Sequence, residues 1–464
     1  MLTQKVATQA LHDCVESSES DPVRCHPDTR VAILADLEEW AAGPTYDYSM
    51  RRVSGSAGVG KTTILRTTAE NLGIRNLLLA SFFFWRTRER CNSGEFFIAT
   101  LAYQIAISIP ETRQYIERAV EEDPLIFSKK LDVQSRILII DPITAVYQQH
   151  ALPSNHPRIF IIDGLDECLD TNLQLPDVDK QCEILRSLHY ILQQLPSFAV
   201  LIASRPEYHI QSMFDTTLKD VSSSLWLNDA IDVEADIKRF YIDKFREIQQ
   251  HHPLRSYLPS PEWPSSHIIQ LLVWRASAHF IYASTVIKFV SARKKNPCNQ
   301  LDAILNNEVN SKASPFGNLD ALYRTIFSTI DKEDLQATIR VLGALSLART
   351  ARIHKAFNPG FWDHFLGLQQ GETHRLMLGL ESLLSVNGPT GDSLHFFHAS
   401  LQDFLFDNER SVAFFIDRSS IYEILVKQSI CHLSTTDGGC FLFLDLTCKP
   451  LTCTNRCFGT VYNK

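Results

Sequence analysis

Gly55-Ser56-Ala57-Gly58-Val59-Gly60-Lys61-Thr62 is the stretch that decides the fold. Its spacing is that of the phosphate-binding loop G-x-x-x-x-G-K-[ST]. Met50 to Val53 suits a short strand entering the loop, and Thr62 to Leu72 suits a helix leaving it, with Gly73 as the expected C-terminal cap. Strand, loop and helix in that order aim successive backbone N–H groups into one concavity, where an anion also meets the positive end of the helix dipole. Gly55 to Thr62, with Thr63 beside them, are therefore the expected nucleotide contacts. Lys61 would reach the β- and γ-phosphates, and the Thr62 hydroxyl would ligate Mg²⁺.

Around the loop, from Met50 to about Asp220, short apolar runs alternate with helical stretches. The runs are Leu77 to Phe84, Arg158 to Ile162 and Phe198 to Ala203, each continuous in the way a strand buried on both faces should be. Gly94 to Ile109 and Lys180 to Leu195 carry helical periodicity between them. The expected class is α/β, a P-loop NTPase parallel sheet flanked by helices. From Asp229 onward the pattern turns helical, most clearly at Asp232 to Gln249, Ser266 to Ser291 and Leu319 to Ser328. Prolines 253, 259, 261 and 264 break the first of these regions, Ser311 to Gly317 reads as a linker, and no internal repeat is visible.

Two further motifs close strands of this sheet. Ile159-Phe160-Ile161-Ile162-Asp163 places Asp163 at the C-terminal edge of a buried strand, where ligands of open α/β sheets bind. A carboxylate there can hold Mg²⁺ together with Thr62. Asp166 and Glu167 follow on a tight turn, and Glu167, with Asp166 as second candidate, is positioned to orient an attacking water. Ser204-Arg205-Pro206 ends the next strand, and the proline keeps Arg205 extended at the sheet edge. A guanidinium beside a γ-phosphate would stabilise transferred charge and sense that phosphate. No N-K-x-D guanine-reading motif follows, so ATP and ADP are the expected nucleotides.

Composition narrows the partners. The 464 residues are 45% hydrophobic and 21% charged with a net charge of −8, which suits several globular domains and argues against a nucleic-acid partner. The clusters Arg86/Arg88/Arg90 and Arg293-Lys294-Lys295 read as solvated faces. The N-terminal MLTQKVATQALHDC lacks the apolar core of a signal peptide, and Leu271 to Val290 is interrupted by Arg275, His279 and Lys288, so no membrane association and a cytoplasmic location are expected. The 11 cysteines bunch only at Cys440, Cys448, Cys453 and Cys457, form no C-x-x-C pair, and are expected to be reduced, with Cys25-His26 an ordinary turn.

Taken together, the loop at Gly55, Ile159 to Glu167 and Ser204 to Glu207 resemble the NACHT domain of signal-transducing NTPases. Cys25 to Arg30 resembles the entry segment of fungal, notably mushroom, NACHT proteins, with Asp28 where that pattern has glycine. Ser81 to Phe84, Thr100 to Gln104 and Asp123-Pro124 fit the same group, which overlaps nephrocystin-type N-terminal domains and is related to NOD-like receptors. Ala276 to Ala283 and Leu319 to Tyr323 resemble its helical and winged-helix parts. Phe397 to Leu405 is similar to the winged-helix segment F-x-H-x-S-F-Q-E-F-L, with Leu401 for Phe and Asp403 for Glu. In that family the histidine reaches the β-phosphate of ADP and holds a closed state, which implies this role for His398, with His395 competing.

The resemblance spans residues 22–433 and implies a lead-in at 1–48, an NTPase domain at 49–225, a helical domain at 226–312, a winged-helix domain at 313–415, and a helix with an unassigned tail at 416–464. It implies an ADP-bound closed state, an ATP-bound homo-oligomer on activation, slow hydrolysis, an unidentified protein effector, and a place in fungal non-self recognition or programmed cell death. Relatives carry an effector domain ahead and a repeat sensor behind; neither is recognisable, and the tail from Thr435 suggests a truncated or imperfect gene prediction. Two other classes compete. A turnover P-loop kinase or ATPase would need an acceptor-binding lid, and a DNA-binding winged-helix regulator would need a basic face on Leu319 to Asp407.

Overall fold

The computed structural model describes residues 2–14, 24–43, 46–86, 88–149, 156–170, 176–227, 233–259, 263–306, 316–350, 358–385 and 394–435. Five strands form one parallel sheet: β1 (Met50–Ser54), β2 (Leu78–Phe83), β3 (Ile159–Asp163), β4 (Ala199–Ser204) and β5 (Ser222–Trp226), in the order β2-β3-β4-β1-β5. Parallel neighbours require crossovers, and helices supply them. Helix α1 (Val31–Ala42) precedes β1 and α2 (Lys61–Ile74) joins β1 to β2. Between β2 and β3 come α3 (Phe97–Ser108), α4 (Arg113–Glu122), α5 (Leu131–Ser135) and α6 (Asp141–Gln149), the last two made continuous by a π-helical stretch, Arg136–Ile140. Helices α7 (Val178–Gln194) and α8 (Tyr208–Asp215) complete the crossovers.

Alternation along each strand explains the continuous apolar runs. Phe160, Ile162, Val200 and Ile202 face one cluster with α3 and α7, while Ile159, Ile161, Leu201 and Ala203 face the other with α1 and α2. Both faces are covered, so every position of β2, β3 and β4 is buried. Ser54 pairs in register with Ser204, and Ile162 with Ile202, so the phosphate loop, Asp163 and Arg205 leave three adjacent strands at one edge.

Three sequence expectations need correction here. Strand β5 was not foreseen: Ser222-Ser223-Ser224-Leu225-Trp226 pairs only with β1 and is mostly half-exposed, so it lacks the apolar run of a central strand. Gly73 does not cap α2, which continues to Ile74; Asn76, at φ 55, takes the left-handed turn, with Leu77 N donating to Leu72 O at 2.9 Å. The helix expected over Ser266 to Ser291 is two, Ser266–Ala276 and Phe280–Val290, because Ser277 and Ala278 adopt φ 46 and 63.

Beyond the sheet lie α9 (Val233–His251), α10 (Ser266–Ala276), α11 (Phe280–Val290), α12 (Pro297–Leu305), α13 (Gly317–Ser328), α14 (Lys332–Thr350), α15 (Pro359–Phe365) and α16 (Glu372–Met377). A short antiparallel pair, β6 (Leu384–Ser385) with β7 (His395–Phe396), leads into α17 (Ala399–Leu405), α18 (Asn408–Ser411) and α19 (Arg418–Thr435). One apolar cluster runs through these elements from Val233 to Leu425. No described helix is long and apolar enough to cross a membrane. The linker at 311–315 and the cysteines of the tail lie outside the described residues.

Candidate nucleotide site

The loop turns back on itself at Gly58 and Gly60, with φ 80 and 100, a region that side chains disfavour. Helix α2 then begins at Lys61, and Ile64 N donates to Gly60 O at 3.0 Å. Lys61 Nζ donates to the carbonyls of Gly55 (2.7 Å) and Ser56 (2.9 Å), which places the ammonium within the loop. Burial lowers its pKa, opposed first by Asp166. Ala57 and Val59 are buried, and Thr63, the third residue of the helix, is half-buried, its carbonyl accepting from Thr67 Oγ1 at 2.9 Å.

Three contacts brace the loop from outside the sheet. Ile281 N, on α11, donates to Gly58 O at 3.1 Å, and a Cβ on Gly58 would stand 2.1 Å from Ile281 Cγ2. His279 Nε2 lies 3.1 Å from Ser56 Oγ, and Arg30 Nη2 donates to Val59 O at 2.9 Å. Neither His279 nor Arg30 received a role from sequence, although both fall in the segments that carry the family resemblance. Asp28 adopts φ 58, a conformation that glycine takes without strain.

Across from the loop, Asp163 is 1% exposed, hydrogen-bonded to the Thr62 side chain, and its Oδ1 has no protein partner. Burial pushes its pKa up to about 7, opposed by the Thr62 bond and reinforced by Glu167. A buried carboxylate oxygen without a donor, next to a threonine hydroxyl at a phosphate loop, suits a divalent cation. Among the described residues no group of three or more His, Cys, Asp or Glu could hold a metal ion, so phosphate and water would complete such a shell.

Gly164, at φ 68, lets the chain turn sharply after Asp163; a Cβ there would meet Phe84 O at 3.0 Å. The following turn, Leu165–Glu167, presents the two acids differently. Asp166 accepts from Arg205 N (2.9 Å) and pairs with Arg205 Nε (3.2 Å). Glu167 Oε2 accepts from Arg86 N at 2.8 Å, and its pKa is raised by burial first and then by Asp166.

Helix α17 closes over this edge. His398 is its N-cap, and its Nδ1 accepts from Ser400 N at 3.0 Å. A backbone N–H can only donate, so Nδ1 is unprotonated and the neutral ring carries its hydrogen on Nε2. Burial and then Arg205 push the His398 pKa down to about 3. One turn further on, Asp403 accepts from Arg86 Nη1 and Arg205 Nη1, one carboxylate oxygen to each, both at 3.0 Å. Burial works against the Asp403 charge, but Arg205 and then Arg86 hold its pKa below the usual carboxylate value. The same pair raises the Arg205 pKa despite burial. Reading Arg86 as part of a solvated face is thereby corrected: its guanidinium joins the sheet edge to α17. Arg88 stacks over Trp85 at 3.7 Å from the ring centroid and Arg90 over Phe96 at 5.3 Å. The side chain of His395 lies outside the described residues.

Residues 32–205 match the family model described as nephrocystin 3, N-terminal, a span that contains the phosphate loop, the acidic turn and Arg205. The chain carries a P-loop NTPase domain. No curated protein sequence matches it. Among solved structures, Aeropyrum pernix ORC2 in ADPNP–ADP complexes overlaps at 12% identity and TM-score 0.35, over 90% of this chain and 98% of that one. Drosophila ORC bound to DNA overlaps at 13% identity and TM-score 0.31, over 84% and 97%. C. elegans PCH-2 overlaps at 11% identity and TM-score 0.29, over 63% and 67%. TM-scores of this size carry no inference about topology or activity.

Proposed function

We propose that this chain is an ATP/ADP-binding signalling switch of the NACHT type, closed with ADP and self-associating with ATP, in which Mg²⁺-dependent hydrolysis is a slow reset. The observation that carries the proposal is the ion pair of Arg205 with Asp403, which ties the edge of the nucleotide sheet to a helix 198 residues away. A switch requires a contact that is made in one state and lost in the other, and an ion pair between the sheet edge and a distant helix can serve as one.

The loop amides and Lys61 would hold the phosphates, and Thr62 and Asp163 would hold Mg²⁺, which when bound supplies positive charge between phosphate oxygens. Glu167 would orient water from the acidic turn. His398 Nε2–H would donate to the β-phosphate of ADP, joining α17 to the loop. In this reading β6, β7 and the helices around them form a winged-helix domain over 313–415, packed on the NTPase domain of 49–225 through the helical domain of 226–312. The self-association and the protein effector belong to the same proposal and rest on the family resemblance, as does a place in fungal non-self recognition or programmed cell death. Identifying the nucleotide that co-purifies with the chain, and its size by light scattering with ADP and with a non-hydrolysable ATP analogue, tests the switch. The same particle size with both nucleotides would refute it.

A further inference from the structure

Arg86 and Arg205 leave different strands of the sheet, and both end on one carboxylate of a third element. Each guanidinium takes one oxygen of Asp403, as two guanidinium groups take two oxygens of a phosphoryl group. Arg86 Nε is buried with no hydrogen-bond partner, so Asp403 does not exhaust the donors gathered there. The main chains of the two arginines are fixed to the acidic turn, Arg86 N on Glu167 and Arg205 N on Asp166, and that turn follows the Asp163 bonded to Thr62. The paired guanidinium groups therefore belong to the same edge as the phosphate loop and the candidate cation position.

We propose that Arg86 and Arg205 form a binding site for the terminal phosphoryl group of a nucleoside triphosphate, and that the Asp403 carboxylate occupies this site in the closed conformation. The inference rests on the nucleotide-binding reading above and deepens it. Two anions crowded onto one half-buried pair of arginines repel each other. A triphosphate that engages both guanidinium groups competes with Asp403 for them and so favours release of α17. A diphosphate, one phosphoryl group shorter, leaves Asp403 in place. Discrimination between the nucleotides is then a competition of two anions for the same donors, and Asp403 sets its threshold.

The test uses the full chain and compares the Kd values of ADP and a non-hydrolysable ATP analogue, each with Mg²⁺, for wild type, Asp403→Asn, Arg86→Gln and the double variant. Asp403→Asn keeps the side-chain shape and removes the competing charge, so affinity for the analogue relative to ADP should rise by roughly ten- to a hundredfold, the range for charged hydrogen bonds. Arg86→Gln in the Asp403→Asn background should remove most of that gain while ADP affinity changes little. Arg86→Gln alone, whatever the fate of the Asp403 variant, should weaken the analogue more than ADP. An unchanged ratio in Asp403→Asn, a gain that survives in the double variant, or equal losses for both nucleotides in Arg86→Gln would overturn the clamp while leaving nucleotide binding intact. Binding of neither nucleotide by wild type would instead refute the nucleotide reading and the clamp with it.

Discussion

Gly58→Ala tests whether the helical region grips the phosphate loop. The glycine sits at φ 80, and a Cβ there would lie 2.1 Å from Ile281 Cγ2 and 2.9 Å from Ile281 Cβ, far inside contact distance. Two costs follow. An L-residue in the left-handed region costs about 1–2 kcal/mol, and overpacking against a neighbour costs about 1–3 kcal/mol. The variant should therefore lose roughly 2–5 kcal/mol in urea unfolding, provided the loop does not move away. A double-mutant cycle separates the two parts. Ile281→Ala removes the nearer clash, at Cγ2, but keeps the Cβ at 2.9 Å and the backbone strain, so in the double variant part of that overpacking cost of about 1–3 kcal/mol should return relative to the sum of the single changes. Unfolding would be followed by tryptophan fluorescence and by far-UV circular dichroism, which must agree for the comparison to hold. A coupling energy near zero, with Gly58→Ala still destabilising, would show that α11 does not press on the loop, and the closed arrangement of loop, His279 and Ile281 would fall.

Three other outcomes are expected. Lys61→Ala should abolish the nucleotide-dependent rise in melting temperature, which in wild type reflects about 4 kcal/mol at a thousand times Kd; a rise that survives the substitution would remove the lysine from phosphate binding. Glu167→Gln should keep ATP binding and lose roughly 10²–10⁴-fold in hydrolysis rate, measured as phosphate release; unchanged turnover would transfer the role of orienting water to Asp166 or elsewhere. His398 is held neutral with a pKa of about 3, whereas in the unfolded chain it titrates near about 6.5. Between those values the unfolded state binds the extra proton, so the neutral ring contributes stability that is full above pH 6.5 and is lost on acidification by up to about 1.4 kcal/mol per unit. His398→Asn keeps an N-cap acceptor for Ser400 but removes the titration, so wild type should lose stability relative to the variant between pH 6.5 and 5; a pH-independent difference would contradict a half-buried ring held neutral.

The three motifs were legible because each is a local arrangement: a strand end followed by a turn. Asp163 and Arg205 follow unbroken apolar runs, and such a run can be a strand covered on both faces without knowledge of its neighbours. Strand β5 had no such mark, since Ser222-Ser223-Ser224 is held by the backbone of β1 and not by burial of its own side chains. The break between α10 and α11 was hidden for a related reason. No glycine or proline stands at Ser277 or Ala278, and the positive φ values there accompany contacts made elsewhere, His279 on Ser56 and Ile281 on Gly58.

The same division runs through the site. The phosphate-loop pattern is written in consecutive residues, but what ties the site to the rest of the chain joins residues far apart: Ser56 and His279 by 223 positions, Arg86 and Asp403 by 317. Arg86 looked like surface because its neighbours Arg88 and Arg90 are charged too, and charge density along a chain does not reveal that one of three guanidinium groups meets a carboxylate from another element. If the proposed competition holds, its threshold is set by Asp403, which belongs to α17 and to no part of the phosphate loop.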